Sequence, residues 1–448
     1  MRQGHSGRYV GLTSGGATNY RGKSVDYRLS IVNIFVGILG HLGPTCSDEL
    51  SPFHFPSRPI LMSDLSQLLT FRDRQQAVNT PLLLVTIVRT AGSTYRRPGA
   101  RLLLTPDGQH EGTISGGCLE TDLLETAWNR VAKNGNRPTM MRYDTSEDGE
   151  ILWGTGTGCG GQVDLLLEPL GTDDPLAFLA EGHRSDEEVA IVTVLEHRVS
   201  LPDRTGVAQT PALGTRFCLQ RGRSVYPQNL PEEVVTELRR LAERTLAEKR
   251  SFVAACKLQA GAEFEVACEF VPISPHLFVF GTGRDALPVV QLAKDLGWKV
   301  TVAGKRATVG AAVQLQELAD AFLATEEALK LIKDDSLILM MSHNFLSDLS
   351  VLESLARRSV RYVGLLGPKP RREKLVTELE RTNPGWDRKQ IDRLHAPAGL
   401  DIGGEGPAGI ALSIVAEMQA VLAGRSAGSL RFRNAPIYAA SSSVSSAA

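Results

Sequence analysis

The first stretch of the chain that could do chemistry is a cysteine at a glycine-rich corner. The segment "GTISGGCLETDL", residues 112–123, places Cys118 directly after Gly116 and Gly117 and before a helix-like run. A thiol at a helix N-terminus is shifted toward thiolate, the form that attacks a substrate or binds a metal. Free cysteine is also among the most buried residue types, so a structural role for this side chain stays open.

Charged residues near this corner act in opposite directions. Arg96 and Arg97, in "AGSTYRRPGARLLL", add positive potential if the fold brings them close, whereas Glu120 repels a thiolate. A second glycine corner, "WGTGTGCGGQVDLLLEPL", contains Cys159, for which the local case is weaker.

A second stretch is typical of a phosphate-binding turn. Gly281 and Gly283, in "VFGTGRDALPVV", begin a G-x-G-x-x-A pattern between a strand and a helix. Such glycines permit a tight turn and a close approach of phosphate to the helix N-terminus. The acid that meets a ribose about 20 residues later is missing, because the next strand ends in "VAGKR". Lys305 and Arg306 there predict a phosphate contact, with a solvated strand end as the alternative.

Weaker candidates follow the later strands. The basic run "GPKPRREK" suits an anion but is also typical of a wet helix face. His343 and His395 could transfer a proton near neutral pH, or could only order their loops.

The elements that must position these residues are those of an α/β protein. Short apolar runs alternate with helical segments beyond residue 275, which predicts a Rossmann-like, doubly wound parallel sheet. The N-terminal half combines strands with helices, and a mixed α/β domain is expected there. The helix after Cys118 should bury one apolar face, formed by Leu119, Leu123, Ala127 and Val131.

The domain organisation follows from composition shifts. We expect a poorly ordered leader over 1–61, an N-terminal domain over 62–274, a Rossmann-like domain over 275–424 and a disordered tail over 425–448. Met62 is a plausible natural start, as an alternative to the first methionine.

The overall composition excludes several classes of protein. The chain has 448 residues, 42% hydrophobic and 22% charged, with a formal net charge of −1, so a basic nucleic-acid footprint is not expected. The six cysteines form no C-x-x-C pair and do not indicate a disulfide framework. No apolar stretch is long enough to cross a membrane. We therefore expect a cytoplasmic protein with neither a nucleic-acid nor a membrane partner.

Seven motifs in order resemble the XdhC/CoxI family of accessory proteins of xanthine dehydrogenase. The resemblance runs from about residue 65 to 424. The motifs are "GSTYRRPGARLLL", "GTISGGCLETDL", "GCGGQVDLLLEP", "VFGTGRDALPVVQLAKDLGWKVTV", "MSHNFLSDLSVL", "RYVGLLGPKPRREKL" and "HAPAGLDIGGEGPAGIALSIVAEM". The family usually has an acid where this chain has Gly304.

The resemblance implies a chaperone that binds molybdenum cofactor (molybdopterin), protects it and assists its sulfuration and insertion into a molybdenum hydroxylase. It implies that Cys118 contacts the cofactor. We further expect Cys118 to meet the metal, Gly116 and Gly117 to let the backbone close on the cofactor, and Arg97 to hold its anionic parts. From the glycine turn and "VAGKR" we expect a pocket for a nucleotide or phosphate formed by Gly281, Gly283, Lys305 and Arg306. Expected partners are a hydroxylase such as xanthine dehydrogenase, a cysteine desulfurase and a second copy of the chain in a homodimer.

Two other functions stay open at this point. Lys305 and Arg306 after a glycine turn also suit an NADP-dependent oxidoreductase. A binding scaffold with vestigial pockets would retain neither ligand.

Overall fold

The computed structural model describes residues 62–144, 161–171, 174–199, 211–258, 262–306, 308–355, 358–382 and 393–433. The predicted leader, Cys159 and residues 434–448 lie outside these ranges. No helix in the described ranges is both long and apolar enough to cross a membrane.

The N-terminal half is built from two antiparallel sheets of five strands each. Their orders are β3-β2-β1-β5-β4 and β8-β7-β6-β10-β9. The strands are β1 Leu83–Gly92, β2 Arg101–Leu104, β3 His110–Gly112, β4 Thr139–Asp144, β5 Gly161–Pro169, β6 Val189–Val199, β7 Arg216–Gln220, β8 Arg223–Val225, β9 Phe252–Lys257 and β10 Glu263–Val271. The helices are α1 Met62–Ala77, α2 Glu120–Lys133, α3 Pro175–Ser185 and α4 Glu232–Glu248.

The two sheets stack face to face, with one helix on each outer side. Helix α2 packs on the first sheet through the predicted face, whose members Leu119, Leu123, Ala127 and Val131 are all buried. Helix α4 packs on the second sheet in the same way. Between the sheets, buried arginines pair with carboxylates of the opposite sheet, as in Arg101 with Glu269 at 2.6 Å. The burial of these charges is compensated because each has a partner.

The C-terminal half is a parallel six-stranded sheet with the order β13-β12-β11-β14-β15-β16. Its strands are β11 His276–Phe280, β12 Lys299–Ala303, β13 Ala321–Leu323, β14 Leu337–Met340, β15 Tyr362–Leu365 and β16 Leu394–His395. Its helices are α5 Ala286–Asp295, α6 Ala311–Leu318, α7 Thr325–Leu331, α8 Phe345–Leu355, α9 Lys369–Thr382 and α10 Gly406–Leu422.

Helices cover both faces of this parallel sheet. The apolar residues of α5, α6 and α10 pack on one face, and those of α7, α8 and α9 pack on the other. The strand order is that of the Rossmann fold, with the reversal between β11 and β14. The predicted doubly wound sheet is confirmed.

Candidate functional site

Several loops of the first sheet lie at the same end of its strands, because the antiparallel register pairs the terminal residues of neighbouring strands. Gly92, at the end of β1, pairs with Gly161 at the start of β5, and Asp144 at the end of β4 pairs with Gln162. Gly112, which ends β3, pairs with Leu102 of β2. The loop that contains Arg97 and the loop that contains Cys118 therefore leave the same side of the sheet.

We call residues 112–120 the cysteine corner. Gly116 and Gly117 have φ values of +78° and +117°, in the left-handed region that favours glycine. The Cys118 side chain is exposed and forms no disulfide. The corner thus presents a free thiol on a backbone turn immediately before α2.

The buried carboxylate of Glu120 fixes the cysteine corner by accepting hydrogen bonds from it. Its Oε1 accepts hydrogen bonds from the Thr113 hydroxyl at 2.7 Å and from the backbone N–H groups of Ile114 and Ser115 at 2.8 Å each. Its Oε2 accepts from the Gly117 N–H at 2.8 Å and from the Ser115 hydroxyl. The carboxylate is thus satisfied by the loop that carries the cysteine.

These contacts change the acidity of Glu120. Burial alone would raise its pKa, but the hydrogen bonds from Ser115, Thr113 and Ile114 outweigh burial and lower the pKa from 4.5 to about 2. The side chain is 7% exposed. Glu120 is therefore ionised at neutral pH and is a structural clamp, a role that the sequence pattern did not indicate.

Tyr95 is a second residue that sequence reasoning missed. An ideal Cβ on Gly116 would lie 3.1 Å from both Cε1 and Cζ of the Tyr95 ring, so this ring packs directly on the glycine. Tyr95 is nevertheless 58% exposed. The only sequence signal is its place in the "GSTYRRPG" motif.

Arg97, from the same loop, lines a different space. Its side chain lies in the wall of a cavity of about 40 Å³ between the two sheets, together with Arg101, Arg216 and Glu269. The Arg101 guanidinium donates to Glu269 at 2.6 and 2.9 Å. The same loop thus contacts the layer between the sheets through Arg97 and the cysteine corner through Tyr95.

The other described cysteines differ from Cys118. Cys218, Cys256 and Cys268 are buried, and burial raises the pKa of Cys218 and of Cys256 to about 12. Such thiols stay protonated and inert at neutral pH. Across the described ranges, no group of three or more His, Cys, Asp or Glu side chains is arranged to hold a metal ion.

The second predicted site lies in a cleft of about 730 Å³ at the carboxyl ends of β11, β12, β13 and β14. We call it the Rossmann cleft. Gly281, Lys305 and Arg306 line it, together with Glu326 and Glu327 of α7 and polar residues around the start of α8. Gly283 follows in the same turn and is not part of the lining; an added Cβ there would lie 2.6 Å from Asp285 Oδ1.

Two contacts explain residue choices in the Rossmann cleft. An ideal Cβ on Gly304 would lie 2.6 Å from Thr282 Cγ2, so Thr282 occupies the space that a longer side chain would need. Asp285, at the N-cap of α5, makes no capping hydrogen bond, and its Oδ2 lies 2.9 Å from His343 Nε2. A carboxylate at this helix start disfavours a second anion there.

The two cations of the cleft differ in their contacts. Arg306 donates to the Phe322 carbonyl at 3.1 Å, and its guanidinium carbon lies 5.7 Å from the centre of the Phe322 ring. Lys305 is exposed and makes no hydrogen bond or ion pair with the residues described. Lys305 can therefore approach an anion without breaking an existing contact.

The weaker candidates are partly explained by packing. Arg371, in the predicted basic run, pairs at 2.6 Å with Asp348, which is 1% exposed. His395 lies 3.1 Å from Glu417 and stacks on Tyr362. These contacts connect neighbouring elements of the Rossmann domain. For His395 this agrees with the alternative that the histidine orders its loop.

Comparisons with known proteins find matches to related family models in both halves of the chain. Residues 75–144 match the model of the XdhC and CoxI family, and residues 277–418 match that of the XdhC Rossmann domain. A probable xanthine dehydrogenase subunit from Bacillus subtilis is 26% identical over 77% of this chain and 93% of its own length. The "Molybdenum cofactor insertion chaperone PaoD" from Escherichia coli is 23% identical over 84% and 94%, respectively.

A solved structure shows the same fold. It is described as a xanthine dehydrogenase from Bacillus halodurans, has a TM-score of 0.61 and 26% identity, and covers 81% of this chain and 98% of its own. The two domain matches, in the order that the sequence motifs predicted, place this chain in the XdhC/CoxI family.

Proposed function

We propose that this protein carries molybdenum cofactor as cargo and inserts it into a hydroxylase of the xanthine dehydrogenase type. The observation that carries the proposal is the exposed Cys118 thiol on a corner fixed by Glu120. The names of the Bacillus subtilis and Escherichia coli relatives support this cargo and this class of partner.

The chemistry of the corner suits the metal end of this cargo. Molybdenum in the cofactor is already held by dithiolene sulfurs, and a thiolate is a soft ligand of the same kind. Nothing lies within 4 Å of an ideal Cβ on Gly117, so the corner has open space there for a bulky ligand, whereas the Tyr95 ring covers Gly116. Cys118 thus acts as the contact to the metal, and the fixed backbone limits its movement.

The Rossmann cleft is our proposed site for a phosphate or nucleotide. Lys305 and Arg306 supply positive charge at its edge, and Gly281 lets the backbone turn tightly beside β14. Because Asp285 stands at the start of α5, we place the anion nearer Lys305 than the helix N-terminus. Gly283 shapes the turn, whereas Arg97 lines the cavity between the two sheets and is not part of the proposed site.

The later steps of delivery need partner proteins. The protein presents the bound cofactor to a cysteine desulfurase for sulfuration and then to the apo-hydroxylase. We expect the protein to form a homodimer, because symmetric pairs are the commonest oligomers. Such a dimer would present two cysteine corners, one from each copy of the chain.

The proposal is tested by loading and transfer. Purified wild type and Cys118→Ala are mixed with molybdenum cofactor under anaerobic conditions, freed of excess ligand, and assayed for molybdenum, pterin fluorescence and activation of apo-xanthine dehydrogenase. Wild type should retain and transfer the cofactor, and Cys118→Ala should lose most of both. Cys218→Ala, which alters a buried thiol, is the matched control.

Two results would contradict the proposal. Equal retention and transfer by wild type and Cys118→Ala would remove Cys118 from the site. Oxidation of NADPH with a small carbonyl substrate, without cofactor retention, would favour the oxidoreductase alternative.

A further inference from the structure

The loop that follows β1 holds an aromatic ring beside the cysteine corner. Its base is fixed by backbone hydrogen bonds from Ile87 N–H to Ala100 at 2.9 Å and from Gly99 N–H to Ile87 at 2.7 Å. Near its tip, the Thr94 hydroxyl donates to the Arg96 carbonyl at 3.0 Å. Tyr95 lies between these last two residues, so a braced loop sets its position.

The ring of Tyr95 is placed by contact with the corner itself. The ring atoms Cδ1, Cε1 and Cζ lie 3.1–3.4 Å from the position of an ideal Cβ on Gly116. The ring thus lies against Gly116, two residues before Cys118. Within the described ranges, the Tyr95 hydroxyl makes no hydrogen bond, and more than half of the side chain faces solvent.

An exposed ring held in a fixed orientation is suited to stacking. Aromatic side chains stack on flat heteroaromatic rings, and the loss of one stacked ring on substitution by alanine weakens nucleic-acid binding by about five- to over a hundredfold. Gly117 leaves open space on the neighbouring side of the corner. A flat ligand that approaches Cys118 therefore has an aromatic surface beside it.

We infer that Tyr95 is a binding residue that stacks on the pterin ring of the cargo while Cys118 faces the metal. This inference rests on the proposed function and adds a second contact, made to the organic part of the cofactor. The pterin contact does not depend on the metal, so the two contacts can be separated experimentally.

The experiment uses two ligands, metal-free molybdopterin and the complete molybdenum cofactor, with the full-length protein under anaerobic conditions. Pterin fluorescence and absorbance report stacking, and retained molybdenum reports the metal contact. The variants are Tyr95→Ala, Tyr95→Leu, Tyr95→Phe and Cys118→Ala. Phe432→Ala, at an aromatic residue that is 72% exposed and outside the corner, is the matched control.

Stacking predicts that Tyr95→Ala and Tyr95→Leu weaken binding of metal-free molybdopterin roughly tenfold and abolish the change in pterin absorbance. Tyr95→Phe should keep both affinity and spectrum, because the ring remains. Cys118→Ala should give the wild-type spectrum with metal-free molybdopterin but should retain much less of the complete cofactor. Unchanged melting temperatures would show that the variants are folded.

Different failures identify different errors. If Tyr95→Ala binds metal-free molybdopterin as wild type does while Cys118→Ala loses molybdenum, the stacking inference is wrong and the carrier function stands. If wild type binds neither ligand, the proposed function is wrong, and the inference is wrong with it.

Discussion

The cysteine corner and the Rossmann cleft are both glycine turns between a strand and a helix, yet they are stabilised differently. At the cysteine corner, one buried carboxylate accepts five hydrogen bonds from residues 113–117. In the Rossmann cleft, the corresponding helix start carries Asp285, which pairs with an exposed His343 and accepts no bond from its own turn. The first turn is fixed from inside, whereas the second faces an open cleft.

The difference suggests how the two sites divide the work. A fixed backbone suits a single directed bond, such as one from a thiolate to a metal, because little motion has to be lost on binding. An open cleft with an exposed lysine suits a charged group whose position varies. We therefore expect the corner to determine which cargo is held and the cleft to add a weaker contact.

The largest expected effect comes from removing the clamp. Glu120→Gln replaces an ionised acceptor with an amide whose N–H₂ group faces backbone donors, and we expect the free energy of unfolding to fall by about 3 kcal/mol. Cofactor retention should fall with it. Chemical denaturation measures the first effect, with Glu125→Gln, at an exposed position of the same helix, as the control. Equal losses in both variants would show that Glu120 has no special role.

The same clamp predicts a pH dependence. Because the pKa of Glu120 is lowered in the folded state to about 2, its contribution to stability is complete above about pH 4.5 and is lost as the pH falls toward 2. The difference in unfolding free energy between wild type and Glu120→Gln should be constant from pH 5 to 8, about 3 kcal/mol, and should shrink below that. A difference that grows on acidification would contradict the assignment.

A smaller effect is expected from Gly116→Ala. Alanine is strained at this positive φ, and its methyl group would also meet the Tyr95 ring. Gly108→Ala is the matched control, because Gly108 has a φ of +87° with nothing within 4 Å of an added Cβ. Thermal unfolding should show Gly116→Ala to be less stable than the control by about 1 kcal/mol. Equal stabilities would mean that the ring moves aside freely.

The smallest effect is expected in the Rossmann cleft. Lys305→Ala removes an exposed charge, so stability should change by less than about 0.5 kcal/mol, and affinity for ADP should fall roughly threefold at low salt and less at high salt. Lys330→Ala, an exposed lysine of α7, is the control. Isothermal titration would measure both variants, and identical affinities would exclude Lys305 from an anion site.

Local patterns were sufficient to predict the framework around the site. The period of Leu123, Ala127 and Val131 predicted the buried face of α2, and alternating apolar strands and helices predicted the Rossmann sheet. The glycines and Cys118 were recognised because they are adjacent in sequence. Such features depend on residues within one or two turns of each other.

The contacts that complete the site could not be predicted from the sequence in the same way. The position of Tyr95 over Gly116 joins loops 21 residues apart, and Arg101 meets Glu269 across two sheets. The sequence indicated only that Glu120 would repel a thiolate, and it did not indicate the five donors that the turn brings to this carboxylate. These roles depend on contacts between segments that are distant in sequence. Such contacts leave no periodic pattern of residues from which they could be predicted.

Whether Cys118 binds the metal is decided by the number of sulfur atoms around the bound molybdenum. Molybdenum K-edge X-ray absorption on the loaded protein counts these ligands in wild type and in a Cys118→Ala sample loaded with excess cofactor. A direct bond from Cys118 to the metal predicts one more sulfur neighbour in wild type than in the variant. Identical sulfur counts in both samples would contradict direct contact between Cys118 and the metal.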